Sequence, residues 1–315
     1  MSNVCMGYID KESGEYMYLV LGGTGLIGRS LVKRLCKKNR VRVLARKETD
    51  LFSGFNVEMI YEDIQTVDFN MLLRNVDCVF HLISSSVPID GVERIKADII
   101  ADYIPTISLL DAMVNNGVSK IFFISSGGTV YGDRDEKSDE KTALAPKCTY
   151  GLSKVYIEEC LSLYQRYCML DCFVLRVGNP YGIDRSEKKQ GIIPIFVRKI
   201  SQHEEIEIWG DGTNERDYIF VEEVVDAIEA VEKYKGNERV FNIGTGIGIS
   251  TVHILSLLCE SLDKNVNIKF KPARLCDVNK ARMDVELIER ECGWKSRISI
   301  EDGIKIYLDE WRETL

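Results

Sequence analysis

The chain has 315 residues, enough to bury a substantial core in one large domain or two joined ones. Its formal net charge is -8 and neither half is strongly basic, which argues against a nucleic-acid surface. Ten cysteines lack the dense spacing of a disulfide framework and read as reduced thiols of a cytoplasmic protein, while His81, His203 and His253 lie too far apart in sequence to suggest a shared metal site. No segment has the length and polarity of a membrane span. The first 15 residues carry Lys11, Glu12 and Glu15, lack a secretory apolar run, and are expected to be a short, loosely held extension.

Tyr18 to Leu21 is an apolar run expected to be a buried strand, and Gly22, Gly25 and Gly28 follow at intervals of three. Leu26, Ile27, Leu31, Val32 and Leu35 then recur at helical spacing, and Val41 to Leu44 closes a β-α-β unit. Glycines in that turn let a backbone approach a diphosphate, and the helix start offers free N–H groups and a positive dipole end. The spacing is GxxGxxG rather than GxGxxG, so its place between strand and helix carries the reading of a dinucleotide site. Thr24, Leu26 and Ile27 belong to the same cofactor turn.

Ala45 stands where many NAD sites have an acid for the ribose hydroxyls, and Arg46 comes next. Arginine can pair with a 2′-phosphate, or this is a solvated basic tip; NAD and NADP both stay open. Val57 to Ile60 suggests a third strand, with Asp63 and Ile64 placed to meet the adenine. Cys78 to Ile83 suggests a fourth, with Leu82 and then Ser84, Ser85 and Ser86 near its carboxyl end, where small polar residues can line a ligand crevice. Asp90 to Asn115 reads as one long helix or two, broken around Pro105.

Ile121 to Ile124 is a strand running into Ser125-Ser126-Gly127-Gly128-Thr129-Val130-Tyr131-Gly132, hydroxyls well placed beyond a strand's carboxyl end. Asp133 to Lys141 is mostly charged and reads as a wet loop. Tyr150 and Lys154 open the next helix and, four apart, share a face. An ammonium near the phenol favours the phenolate, as a general base requires. Cys172 to Val177 is a further strand, leading to the turn-rich Gly178-Asn179-Pro180-Tyr181-Gly182.

The βα rhythm then loosens. Helices are expected over 191–200, 221–231 and 251–262, and short strands over 206–209 and 240–243. Leu287, Trp294, Ile298, Ile300 and Trp311 read as packing residues. The fold class expected is α/β: a Rossmann-like, doubly wound parallel sheet over 16–180, with a smaller C-terminal unit over 181–315. Segments around 210–245 are expected to return to the first unit, with a ligand crevice between the two.

The chain resembles the extended short-chain dehydrogenase/reductase family, in its NAD-dependent nucleotide-sugar epimerase/dehydratase branch, from about Tyr18 to Trp311. The likeness rests on Gly22-x-x-Gly25-x-x-Gly28, the Ser-Ser-Gly-Gly-Thr-Val-Tyr-Gly segment, Tyr150-x-x-x-Lys154 and Leu175-Arg176-x-x-Asn179-Pro180. It continues through Gly210-Asp211-Gly212, Arg216-Asp217-Tyr218-Ile219, Asn242-Ile243-Gly244, Arg274-x-x-Asp277 and Gly293-Trp294. Within that branch the pattern is most like UDP-glucose 4-epimerases. The resemblance implies a nucleotide-sugar substrate, Tyr150 as catalytic base, Lys154 on the nicotinamide ribose, and Asn179, Arg216 and Arg274 on the diphosphate. It places Ser86, Ser126, Gly127 and Asp277 at the substrate and Ser125 at the cofactor. It also implies a homodimer joined through helices of the first unit.

Two departures stand out. Such epimerases carry serine or threonine four residues before the Tyr131 position, where this chain has Gly127. Ser126 is the expected substitute and Thr129 the next one. The other departure is Ala45-Arg46: a tightly held NAD suits a 4-epimerase, whereas NADPH suits a reductase of a nucleotide-linked 4-keto-6-deoxyhexose. The dehydratase pattern Thr-Asp-Glu is missing, since Gly127-Gly128-Thr129 offers no carboxylate.

Overall fold

The computed structural model describes residues 15–85, 92–183 and 191–313. Ser86 and most of the N-terminal extension lie outside these. In chain order, β1 (Met17–Leu21), α1 (Leu26–Leu35), β2 (Arg40–Ala45), β3 (Val57–Tyr61), α2 (Phe69–Leu72) and β4 (Cys78–His81) come first. Next come α3 (Ile95–Asp98), a π-helical segment (Ile99–Tyr103), α4 (Ile104–Asn116), β5 (Lys120–Ser126), α5 (Thr149–Cys168), β6 (Asp171–Val177) and β7 (Asn179–Tyr181). The remainder is α6 (Ile192–Ser201), β8 (Ile206–Trp209), β9 (Glu215–Phe220), α7 (Val221–Glu232), β10 (Val240–Ile243) and β11 (Gly248–Ser250). It ends with α8 (Thr251–Leu262), β12 (Ile268–Lys271), β13 (Lys280–Ala281), α9 (Glu286–Cys292) and α10 (Ile300–Arg312).

Seven strands form one parallel sheet in the order β10-β6-β5-β4-β1-β2-β3. A parallel sheet covered on both faces needs strands apolar on both sides, which is why β1 is buried at all five positions. On one face α1 and α7 pack Leu31, Val32, Val224 and Ile228 against Phe80 and Phe122. On the other, α4 and α5 pack Leu109, Met113, Ile157 and Leu161 against Leu19 and Phe123. The sheet is the doubly wound one expected. Its winding reverses between β1 and β4, where Leu21 pairs with His81, so the crevice at their carboxyl ends is the natural ligand site. A third core, with Phe196, Ile208, Ile254, Leu258 and Ile304, holds the C-terminal elements together. The returning chain also supplies β10 to the sheet edge and α7 to the first core.

Two local expectations change and one holds. Pro105 does not break the helix; it sits in the first turn of α4. The irregularity lies just before it, where the Ile104 N–H reaches the Ile99 carbonyl in a π turn. Proline cannot donate to the carbonyl four residues back, so the ladder widens there. The charged 133–141 segment is the mostly exposed loop expected, with one tie into the fold. Ser138 is buried and bridges to Met283, and the Glu140 carboxylate accepts the Asn242 N–H at 2.8 Å. The segment 179–181, expected as a turn, forms β7 and pairs with β9, setting Asn179 opposite Tyr218.

Candidate active site

At the end of β1, Gly22 takes φ +82°, and a Cβ there would lie 3.0 Å from the Leu82 backbone. A Cβ on Gly28 would come within 2.2 Å of the Gly22 carbonyl oxygen, so only glycine lets the helix start sit on the turn. Gly25 is the exposed N-cap of α1 and no side chain caps it. Thr24, Leu26 and Ile27 are half-buried around it. The result is an open cradle of helix N–H groups that fits a dinucleotide diphosphate. Arg46 is exposed beyond the carboxyl end of β2, and no described residue pairs with it. Asp63 is half-buried and accepts the Gln65 N–H at 2.9 Å, and Ile64 is buried beside it. Leu82 is half-buried against the first core and Ser84 is exposed, both beyond the end of β4.

Beyond β5, a cavity of about 170 Å³ is lined by Ser126, Gly128, Thr129, Tyr150, Asn179 and Arg216, together with Gly178, Pro180 and the 276–278 segment. A larger hollow of about 260 Å³ lies against α4 and Ile64, but Tyr150 does not line it. The smaller cavity gathers the side chains that can do chemistry. Ser126 and Tyr150 both line it, and the Ser126 hydroxyl acts to lower the phenol pKa. Lys154 is 3% exposed; its Nζ donates to the Ile124 carbonyl at 3.1 Å and lies 5.5 Å from the Tyr150 ring centre. Thr129 Oγ1 is buried with no hydrogen-bond partner, a polar atom at the cavity wall.

Burial pushes the Tyr150 phenol up to about 12; the Ser126 hydroxyl pulls it down, and Cys148 and Asp102 add to the rise. Burial pulls Lys154 down to about 8, opposed by the carboxylates of Asp102 and Glu158. With protein groups alone, therefore, burial dominates and the phenol is neutral at pH 7. The expected phenolate is not supplied by Lys154 by itself.

Gly127 is explained by its neighbour. A Cβ there would fall 1.9 Å from the Met283 sulfur, so methionine occupies the space that a serine or threonine side chain needs. It is Gly128 that lines the cavity, while Gly127 packs on Met283. Ser125 turns its hydroxyl to the buried Glu158, which also pairs with Arg176 at 2.7 Å. Arg216 is not paired with Asp217, whose carboxylate instead accepts from the N–H groups of Thr245 and Gly246. It donates to the Glu215 carbonyl at 2.8 Å, and burial lowers its pKa from the usual arginine value. Arg274 grips Asp277 through two 3.0 Å hydrogen bonds and lies over the Trp209 ring, so it lies beside the cavity as half of an ion pair. Reading the sequence missed Cys276 and Val278 on the wall, and Asp102 behind it. Asp102 gave no motif signal, because it comes near Lys154 only through the π turn. Among the described residues, no cluster of three or more potential metal ligands is present.

A profile of the NAD dependent epimerase/dehydratase family matches residues 18–244. The chain belongs to this family. Its homologues include the dTDP-4-dehydro-6-deoxyglucose reductase of Escherichia coli, 30% identical over 298 residues, covering 91% of this chain and 94% of that one. The UDP-glucose 4-epimerase of Thermotoga maritima, solved with UDP-glucose, superposes with a TM-score of 0.88 at 29% identity, over 95% of this chain and 99% of that one. The UDP-glucose 4-epimerase of Thermus thermophilus, solved with NAD, gives a TM-score of 0.87 at 26% identity, over 95% and 100%. This epimerase/dehydratase chain is thus homologous to enzymes of nucleotide-sugar chemistry along nearly its whole length. No helix among its described residues is long and apolar enough to cross a membrane.

Proposed function

We propose that the protein is a nucleotide-sugar 4-epimerase, acting on a UDP-hexose through a transient 4-keto sugar. The observation that carries this is the convergence of Ser126, Thr129, Tyr150, Asn179 and Arg216 on one cavity. NAD is the cofactor that suits the reading, held by the Gly22-Gly25-Gly28 turn; when bound it accepts and returns hydride at the sugar C4. Tyr150, as the phenolate that the added positive charge of bound NAD beside Lys154 would favour, takes the proton of the 4-hydroxyl and later gives it back. Ser126 holds the same oxygen in line, with Thr129 Oγ1 as a second donor. Lys154 supplies positive charge on the Tyr150 face and a donor toward the nicotinamide ribose. Asn179 and Arg216 hold the diphosphate, backed by the Arg274–Asp277 pair, while the 4-keto ring turns its other face. Residues 16–180, with α7 and β10, form the cofactor unit in this reading, and the rest of 181–315 the nucleotide-sugar unit.

The test is incubation with UDP-glucose, UDP-galactose and their N-acetyl forms without added cofactor, with products resolved chromatographically. Interconversion at C4 supports the proposal. A second reading, reduction of a nucleotide-linked 4-keto-6-deoxyhexose by NADPH, is favoured by the likeness to the Escherichia coli reductase and by the exposed, unpaired Arg46. It is the better reading if no UDP-sugar turns over while NADPH is consumed on adding such a ketosugar. Titration with NAD and NADP, repeated on Arg46→Ala, separates the cofactors. NADP preference that vanishes in the variant assigns Arg46 to the 2′-phosphate and overturns NAD.

A further inference from the structure

Asp217 of β9 lies where the small sheet meets the large one, and it is 2% exposed. A buried carboxylate needs donors, and three reach it from the turn that follows β10. The Thr245 N–H and the Thr245 hydroxyl both donate to Oδ1 at 2.8 Å, and the Gly246 N–H donates to Oδ2 at 2.8 Å. Burial pushes the carboxyl up to about 6, held back by these hydrogen bonds and by the Lys137 charge, so at pH 7 it is ionised and accepts from all three. Two glycines permit the approach. A Cβ on Gly244 would lie 2.6 Å from Asp217 Oδ2, and one on Gly178 would lie 2.6 Å from the Asp217 carbonyl oxygen. The Gly178 N–H in turn donates to the Ile243 carbonyl at 2.9 Å. The carboxyl ends of β6 and β10, both in the large sheet, therefore meet at Asp217 in the small one.

Side chains alternate along a strand, so Asp217 faces the turn while its neighbour Arg216 faces the cavity. β9 also pairs with β7, which sets Asn179 opposite Tyr218. Arg216 and Asn179 line the same cavity. We propose that Asp217 is a positioning residue: its carboxylate clamps β9 to the end of β10 and so sets where Arg216 and Asn179 meet the diphosphate of a nucleotide sugar. The diphosphate rests on the nucleotide-sugar reading; the clamp does not. Groups that grip a ligand are only as well placed as the elements behind them, so a loosened β9 weakens the grip without touching the glycine cradle.

The experiment compares the wild type with Asp217→Asn by hydrogen exchange with mass spectrometry, and by calorimetric titration with UDP-glucose and with whichever of NAD and NADP the wild type binds. Asparagine keeps the shape, but its amide end faces a donor, so either the Thr245 or the Gly246 N–H loses its acceptor. Exchange is expected to rise about tenfold in peptides covering 214–220 and 179–181, and not in those covering 17–35. The dissociation constant for UDP-glucose is expected to rise about tenfold while that for the cofactor stays unchanged. An Asp217 that only added stability would lower the urea midpoint and leave the UDP-glucose constant of the folded protein as it is, and that result overturns the proposal. So does a rise in exchange confined to 244–247, or an equal rise in every peptide. If Asp217→Asn does not fold by circular dichroism, Thr245→Val decides. It removes only the hydroxyl donor and is expected to raise exchange over 214–220 about threefold, with no rise counting against the clamp. If the wild type binds no UDP-glucose, the UDP-hexose reading falls, and exchange over β9 still decides whether Asp217 holds the strand.

Discussion

Single residues carry the chemistry, and their legibility differed by residue type. Tyr150 and Ser126 stood out because each follows a glycine-rich or strand-end segment, Asn179 and Arg216 through the family resemblance, and all four line one cavity. Arg274 could not be judged that way: whether an arginine meets phosphate or a neighbouring carboxylate depends on rotamers, and here it holds Asp277. In the proposed reaction Tyr150→Phe removes the proton carrier, and it is expected to lower turnover about 100-fold or more, with the circular dichroism spectrum unchanged. A Tyr150→Phe enzyme turning over at the wild-type rate would exclude it as the base. Gly127 is a second test. Gly127→Ser drives a Cβ into the Met283 sulfur and is expected to cost about 1–3 kcal/mol in urea unfolding. Pairing it with Met283→Ala should recover part of that loss, since the two residues share one space. Equal losses in the single and double variants would show that Met283 is not what excludes a side chain at 127.

At the scale of elements, the strands were legible because a doubly covered parallel sheet favours apolar runs, as in β1 and in Cys172 to Leu175 of β6. The π turn before α4 was not, since the sequence shows only a proline and not which carbonyl it leaves unpaired. Nor was β7, whose three residues pair with β9 far along the chain. His81 is where β4 is fastened to α4, through Thr106. Its ring is 1% exposed, and burial, helped by the Lys154 charge, lowers its pKa from 6.5 to about 3. Below pH 6.5 the unfolded chain takes up a proton that the native ring refuses. This contribution to stability is therefore full above pH 6.5 and is lost as the pH falls toward 3. Between pH 6.5 and 5 the loss from this group is about 2 kcal/mol. His81→Gln is expected to be less stable at pH 7, where packing is lost, yet to show a slope of stability against pH flatter by that amount. Urea midpoints at the two pH values measure it; parallel slopes would assign the acid sensitivity to other groups.

For the whole molecule, the two helices that cover one face of the sheet leave apolar side chains on their outer side. Ile104 of α4 is 51% exposed, and Leu163 and Tyr167 of α5 are 49% and 75% exposed, with Ile100 of the π turn close by in sequence. Their inward neighbours Leu109, Met113, Ile157 and Leu161 are spent on the sheet, so this outer row is surplus to the fold of one chain. Apolar and tyrosine-rich helix faces of this kind suit a two-fold contact, in which α4 and α5 of one protomer meet α4 and α5 of its partner. The same α5 carries Tyr150 and Lys154 at its amino end, so such a contact would stiffen the helix that presents them to the cavity. A homodimer built this way predicts that the wild-type protein sediments at twice the chain mass at micromolar concentration. Leu163→Glu combined with Tyr167→Glu places a carboxylate pair opposite its own copy across the two-fold axis. The double variant is expected to sediment as a monomer with an unchanged circular dichroism spectrum, because neither side chain contributes to the buried cores. A wild type that is monomeric, or a double variant that stays dimeric, would remove these helices as the contact.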